Sequence, residues 1–404
     1  MLGRFYKRLI DERLGSYPQM AFISGPRQVG KTTIAKAIAA GYQRSLYLNW
    51  DVLEHRDIIL KGPSHVAEKL SLDLALDKKP IVIFDEIHKF SQWKTYIKGF
   101  FDAYKDQVLI VVTGSARLDI YQSGGDSLMG RYFHYRLHPF TVGELCEDRK
   151  AFDELIYLPS QLPQEKWENL MAFGGFPDPY IHQAKRFSNS WQALRLKQLF
   201  TEDVRDISRV HEIAQMEILG KTIASHVGQL TNFSTLAKHI RVTDKTVRNW
   251  LDILKSLYHC FAIKPWSKNV TRSLLKDPKM YLWDWSVIED RGMRNENFVA
   301  SHLLKAVHFW QDTGLGNYGL HFIRDREKRE VDFLITRDDK PWCLIEVKSS
   351  YKEPLSKNLL HFKEKLSVPH AFQVACNLEY QDINLFELKT PKIVSAQTFL
   401  SQLV

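Results

Sequence analysis

The nine residues GPRQVGKTT, Gly25 to Thr33, decide how the first third of this 404-residue chain is read. They fit the pattern G-x-x-x-x-G-K-[ST] at every fixed position, and both flanks agree with it. The apolar run MAFIS (20–24) leads in as a buried strand, and KTTIAKAIAA (31–40) leads out with helical periodicity. A strand, a glycine-rich loop and a helix in that order make an anion cradle. Gly25 and Gly30 let the backbone curl closely, because a residue without a side chain accepts unusual dihedral angles. The backbone of Pro26, Arg27, Gln28 and Val29 wraps the anion, and its N–H groups and the helix N-terminus supply positive charge. In such a loop Lys31 reaches the β- and γ-phosphates of ATP, Thr32 holds Mg²⁺ through its hydroxyl, and Thr33 completes the motif.

Working outward, PIVIFDEIHKF (80–90) supplies a second part of the same site. Residues 81–84 form a buried strand, and Asp85-Glu86 falls at its carboxyl end, where ligands bind in open α/β sheets. Asp85 suits the Mg²⁺ shell, and Glu86 suits a general base that orients the attacking water. A further strand, VLIVVTGSAR (108–117), ends on Thr113 and Ser115, small hydroxyl residues placed to sense the γ-phosphate. The alternative for these is a helix N-cap. Arg117 and Arg131 follow, and either is a candidate arginine finger, for its own subunit or a neighbour's. Strands and helices alternate to about residue 144, the pattern of a parallel sheet.

The composition is that of a soluble globular protein, with 44% hydrophobic and 25% charged residues. No run approaches the roughly 18 apolar residues of a membrane span. The amino terminus is charged and lacks the pattern of a signal peptide. Four scattered cysteines show no paired spacing, which argues against disulfides or zinc and fits a reducing cytoplasm. A net charge of +9 permits a nucleic-acid or acidic partner without requiring one.

Residues 145–264 read as helical. Within them, TNFSTLAKHIRVTDKTVRNWLDILKSLYHCFAI (231–263) has the pattern of a helix-turn-helix. Phe233, Leu236, Ala237 and Ile240 share one face, and Thr243 caps a second helix buried through Val247, Trp250, Leu251, Leu254 and Leu257. The opposite face carries Lys245, Thr246, Arg248, Asn249 and Asp252, a mixture that suits a DNA groove. The run 259–263 is expected to open a wing. A winged helix used only for packing or subunit contact is the other reading.

From about residue 265 strand-like runs return, at 279–283, 320–323, 330–336, 342–348 and 370–375, and a long helical pattern at 296–309 precedes most of them. The hairpin REVDFLITRDDKPWCLIEVKSS (329–350) holds Asp332, Glu346 and Lys348 in a small space. Glu346 and Lys348 alternate with Val347, so both point to one face. Two readings stay open: a metal site that acts on phosphodiesters, or a solvated hairpin with ordinary surface charges.

The order GPRQVGKTT, IVIFDEIHKF, VVTGSAR and SLMGRYFHYRLHPFTVGE resembles a family of prokaryotic P-loop ATPases of the AAA superfamily. Members carry a C-terminal domain of unknown function whose core is similar to restriction endonucleases. The resemblance continues through FGGFPDPY, LFTEDVRDISRV, KMYLWDWSVIED, NENFVASHLLKA and the REVDFLI…LIEVKSS pair, and so covers nearly the whole chain. At Trp283–Ser286 this chain has WDWS where relatives usually show an Asp-Thr-Gly-Leu-like run.

The resemblance implies an α/β chain in three parts: an AAA-type P-loop domain (1–144), a helical region with a winged helix (145–264, the helix-turn-helix at about 231–264), and a restriction-endonuclease-like domain (265–404). It implies that Asp332, Glu346 and Lys348 form a nuclease-type site, with Glu296 as a further carboxylate and Gln373 at a later polar position. Hard oxygen ligands there suit Mg²⁺ or Mn²⁺. The expected function is a cytoplasmic ATPase whose nucleotide cycle controls a DNA- or RNA-binding, nuclease-like module, with a homo-oligomer as one arrangement. The alternative is a regulatory ATP switch or protein-remodelling ATPase with an inert docking domain.

Overall fold

The computed structural model describes residues 4–72, 78–114, 128–146, 154–207, 212–267 and 277–404. Ser115 and Arg117 lie outside the described residues. The chain falls into two compact units, Met1–His138 and Pro139–Val404. This division falls at 138/139, and residues 264 and 265 end a strand, Cys260–Pro265.

The first unit is a five-stranded sheet built from β1 (Met20–Ser24), β2 (Ser45–Asn49), β3 (Ile81–Asp85), β4 (Leu109–Thr113) and β5 (Tyr132–Arg136). Its order is β2-β3-β4-β1-β5, and every neighbouring pair is parallel. β1 and β3 are buried along their whole length, as expected of strands covered on both faces. Phe22, Val82, Phe84, Val112, Trp93, Ile97 and Phe100 form one apolar cluster between the sheet and the helix Trp93–Tyr104. That helix presents Trp93, Ile97, Phe100 and Phe101 at helical spacing, which is why it lies on the sheet. In a parallel sheet all carboxyl ends share one edge. Ser24, Asp85 and Thr113 therefore end together.

The second unit contains a mixed seven-stranded sheet. Its strands are β6 (Cys260–Pro265), β7 (Lys279–Leu282), β8 (Tyr318–Arg324), β9 (Glu330–Arg337), β10 (Lys340–Lys348), β11 (His370–Ala375) and β12 (Lys392–Ser395), in the order β12-β11-β10-β9-β8-β6-β7. The long helix Arg291–Asp312 is capped by Asp290, whose Oδ1 accepts the Met293 N–H at 2.8 Å, and buries Phe298, Leu303, Phe309 and Trp310. The run expected to open a wing becomes β6. It pairs antiparallel with β7, and its end pairs with β8 through Lys264 and Pro265, so it extends the large sheet.

The WDWS segment is a structural turn. Trp285 is fully buried, its Nε1 donates to Leu170 O at 2.9 Å, and its ring meets Phe298 edge-on. Ser286 Oγ donates to Asp284 Oδ1 at 2.5 Å.

Candidate functional site

The first candidate site stands at the carboxyl edge of the parallel sheet. β1 ends at Ser24, the loop turns, and the helix Lys31–Ala39 begins after Gly30, whose φ is 99°. A Cβ on Gly25 would lie 2.3 Å from Leu137 O, so the loop passes the end of β5 at a distance only glycine allows. Lys31 is buried, and its Nζ donates to Gly25 O at 3.0 Å and Pro26 O at 2.7 Å. The ammonium thus spans the loop that carries it. No side chain caps the helix start, which leaves its N–H groups to the loop.

Asp85 is the meeting point of the site. Thr32 Oγ1 donates to its Oδ2 at 2.8 Å, and Thr113 Oγ1 donates to its Oδ1. Sheet register brings the strand residues in: Asn49 pairs with Asp85, and Asp85 with Thr113. Tyr47 OH donates to Asp85 Oδ2 at 2.5 Å, and Asn49 Nδ2 lies 3.4 Å from the same oxygen. Burial, then the bond to Asp85, pushes the Tyr47 phenol up.

Glu86 leaves the strand in the left-handed region, with φ of 56°, and its N–H donates to Thr113 O at 3.1 Å. Its Oε2 lies 3.6 Å from both His88 Nε2 and Lys89 Nζ. Burial raises its carboxyl above the usual range, while Lys31 and Lys89 oppose that. Lys89 also pairs with Asp51 at 2.5 Å.

Arg131 stands apart from this edge. It immediately precedes β5, whose Tyr132 pairs with Met20, the first residue of β1. That is the amino edge of the sheet, opposite the loop. Its guanidinium forks onto Asp102, at 2.8 and 3.1 Å. Arg4, Tyr47 and Asn49 are additions that no motif marks. Arg4 is buried and its Nη2 donates to Val29 O at 3.2 Å and His138 O at 2.5 Å, tying the loop to the end of β5.

The second candidate site lies in the mixed sheet. Asp332 Oδ2 accepts the Val347 N–H at 2.8 Å, which locks β9 to β10 beside Glu346. Lys348 Nζ is 3.1 Å from Glu346 Oε1, while Glu346 Oε2 is buried with no hydrogen-bond partner. Burial, then repulsion from Asp332, raises the Glu346 carboxyl to about 7. Glu296, also raised to about 7 by burial and by Asp332, accepts from Tyr281 OH at 2.7 Å. A Cβ on Gly228, whose φ is 74°, would sit 2.7 Å from Glu296 Oε1.

Sequence reasoning missed Lys279. It is 3% exposed, and its Nζ lies 2.7 Å from Glu330, 3.5 Å from Glu296 and 4.0 Å from Asp332. Glu330 gives its other oxygen to Arg324 at 2.7 Å. Glu296, expected as a metal ligand, and Glu330 are therefore matched by side chains already present. Among the described residues, no group of three His, Cys, Asp or Glu side chains is arranged to hold a metal ion. Gln373 is also engaged: Oε1 accepts from Ser356 N at 2.8 Å, and Nε2 donates to Glu353 O and Pro354 O.

The helix-turn-helix elements are Phe233–Ile240 and Asp244–Ser256, capped by Asn232 and Thr243. Lys238, Arg241, Lys245, Arg248 and Asn249 are exposed. The Arg248 guanidinium lies over the Phe233 ring at 3.7 Å, and Asp252 pairs with Lys255 at 2.6 Å. No helix among the described residues is long and apolar enough to cross a membrane.

Comparison with known proteins follows these two sites. A family model described as an AAA domain matches residues 17–146, and two domains of unknown function, DUF8612 and DUF4143, match 164–291 and 291–393. An uncharacterised protein of Mycobacterium tuberculosis is 21% identical over 356 residues, spanning 84% of this chain and 72% of its own length. Among solved structures, a Walker-type ATPase of Pyrococcus abyssi is 14% identical with a TM-score of 0.45, covering 70% of this chain and 94% of that one. AMPPCP-bound DnaA from Aquifex aeolicus is 14% identical with a TM-score of 0.31, covering 62% and 86%. Likenesses that distant say nothing about what this chain binds. The AAA match falls on the loop, β3 and β4, and so supports reading residues 17–146 as a P-loop ATPase domain.

Proposed function

We propose that the chain is a Mg²⁺-dependent ATPase whose nucleotide cycle controls a nucleic-acid-binding carboxy-terminal module, with phosphodiester cleavage at Asp332, Glu346 and Lys348. The observation that carries it is the 2.8 Å bond between Thr32 and Asp85, beside a glutamate with a raised carboxyl. A hydroxyl and a carboxylate are the hard oxygen donors that suit Mg²⁺. The glycine cradle at Gly25 and the buried Lys31 fit the phosphates of ATP. When bound, Mg²⁺ neutralises the charge on the transferred phosphoryl group. Thr32 and Asp85 would hold it, Glu86 would accept a proton from the attacking water, and Thr113 keeps Asp85 oriented.

The same fit holds at Asp332 and Glu346. Glu346 Oε2 is a buried oxygen without a partner, in a cluster whose carboxyls are raised chiefly by burial and further by one another. A divalent cation there supplies charge neutralisation and an acidified water. Lys348 holds Glu346 in place and carries a positive charge for the phosphate. The exposed basic residues of the helix-turn-helix support contact with nucleic-acid backbone. Arg131 suits the finger role only toward a second copy of the chain.

The test measures ATP turnover with and without single-stranded, double-stranded and branched DNA or RNA, and follows the nucleic acid on gels in Mg²⁺ or Mn²⁺. Stimulated turnover, with cleavage lost in Asp332→Ala and Glu346→Ala, supports the reading. Turnover indifferent to every nucleic acid removes the partner. Cleavage that survives both substitutions belongs to a contaminant and removes the nuclease.

A further inference from the structure

We propose that Lys279 is the resident cation of the carboxylate cluster and restricts it to a single divalent ion, held by Asp332 and Glu346. This rests on the metal reading above and deepens it. Four carboxylates, from Glu296, Glu330, Asp332 and Glu346, gather around the ends of β7, β9 and β10 and the start of the long helix. Two cations from one polar cluster would need most of those oxygens. Lys279 takes a share of them first. Its ammonium touches Glu330 at 2.7 Å, reaches Glu296 at 3.5 Å and approaches Asp332 at 4.0 Å.

The remaining oxygens on that side are also engaged. Glu330 binds Arg324 at 2.7 Å, and Glu296 takes the Tyr281 hydroxyl at 2.7 Å. Lys279 is fixed as well as buried. Its strand pairs with β6, a bridge joins it to Leu230, and Thr231 N donates to Pro278 O at 2.8 Å. The ammonium also lies 5.4 Å above the Phe322 ring. Withdrawing it would strand Glu330 and Glu296 in a site from which water is largely excluded.

On the other side, Glu346 Oε2 is buried and unpartnered, and Glu346 itself is 7% exposed. Lys279 approaches Asp332 Oδ1 no closer than 4.0 Å. Two protein carboxylates match what Mg²⁺ or Mn²⁺ takes when water and substrate phosphate complete its shell. The cluster therefore uses an ammonium where a two-metal site would use its second ion. A lysine carries positive charge without open coordination positions, so it neutralises but does not ligate substrate.

The experiment counts Mn²⁺ bound to the full chain by calorimetric titration and by the paramagnetic resonance of free Mn²⁺. An Asp85→Asn background silences the nucleotide site. With Lys279 present, one Mn²⁺ is expected, and Glu346→Gln abolishes it. Lys279→Met is expected to raise the count to two. If that variant does not fold, Lys279→Met with Glu330→Gln removes one charge of each sign, and a second, weaker Mn²⁺ is expected. Two ions with Lys279 in place, or no gain in either folded variant, overturns the inference and leaves the metal reading standing. No Mn²⁺ at all, with Glu346→Gln changing nothing, overturns the metal reading and the inference with it.

Discussion

The two charged sites are built in opposite ways. The nucleotide site is local: Lys31 and Thr32 open the helix that follows the glycine loop, and Asp85 and Thr113 end strands that sheet register sets side by side. The carboxylate cluster is assembled from far along the chain, with Lys279, Glu296, Glu330 and Glu346 on separate elements. In the first site the lysine is held by the backbone of its own motif, at Gly25 O and Pro26 O. In the second the protein supplies part of the counter-charge itself. A local motif announces its purpose in sequence. A tertiary cluster announces it only where its charges fail to balance.

The sharpest way to break this contrast is at Lys31. Lys31→Ala is expected to lower ATP turnover by roughly 10²-fold or more, since it removes a preorganised charge from the phosphates. Turnover at the parental rate in a coupled phosphate-release assay would take the nucleotide site away from this loop. Next comes Lys279→Met, which leaves buried carboxylates without their cation and should destabilise the second unit by about 3–5 kcal/mol. Urea unfolding followed by hydrogen exchange would read this. A loss confined to the first unit would contradict the assignment.

Acid should also separate the units. The His302 ring donates through Nδ1 to Phe298 O and accepts from Val142 N at Nε2, so it is held neutral. Burial chiefly, then Lys305, lowers it to about 3 from an ordinary 6.5. The folded value is depressed, so its contribution is complete above about 6.5 and is lost as pH falls from there through about 3. His259, lowered to about 4 by burial and Arg195, acts in the same direction. Glu296 and Glu346, raised to about 7, act in the opposite direction over the same range, so the readout is local: hydrogen exchange of the Val142 N–H, held by His302 Nε2, should lose protection between pH 7 and pH 5, and equal protection at both would refute this.

A smaller effect is expected at Glu346. In the metal-free protein, Glu346→Gln removes a buried charge and should stabilise the second unit by about 1–3 kcal/mol, while abolishing Mn²⁺ binding. A lower melting temperature would mean that Glu346 is satisfied. Smallest is Thr243→Ala. It removes the acceptor of the Thr246 N–H at 3.1 Å and should cost about 1 kcal/mol. A melt unchanged within error would show that packing of Trp250 and Leu251 alone starts this helix.

The parallel sheet was legible because β1, β2, β3 and β4 are apolar runs bounded by turns, and the loop between β1 and its helix carries fixed glycines. The helix-turn-helix was legible for a similar reason, since Val247, Trp250, Leu251 and Leu254 recur at helical spacing. The run 259–263 read as a strand, but that its end also joins the large sheet was not legible, because this depends on which strands offer it hydrogen bonds. Here β7 pairs antiparallel along it, and β8 takes it at Lys264 and Pro265. Arg131 likewise looked near the phosphate site in sequence, yet lies at the sheet edge opposite the loop, because a parallel strand starts at the end far from its ligand.

Sequence alone determined the elements and the chemistry of the short motifs: the glycine loop, the acidic pair after β3, and the Glu346-x-Lys348 alternation. These depend on backbone freedom and on side-chain period, which neighbouring residues set. Tertiary structure decided which charges meet. Asn49 joins Asp85 through sheet register and Tyr47 through its hydroxyl, and Lys279 enters the carboxylate cluster from β7. Gly228 presses on Glu296 from a loop that precedes both helices of the helix-turn-helix. Electrostatic pairing acts through space over a few ångströms, so the partner of a buried charge is fixed by folding and not by distance along the chain.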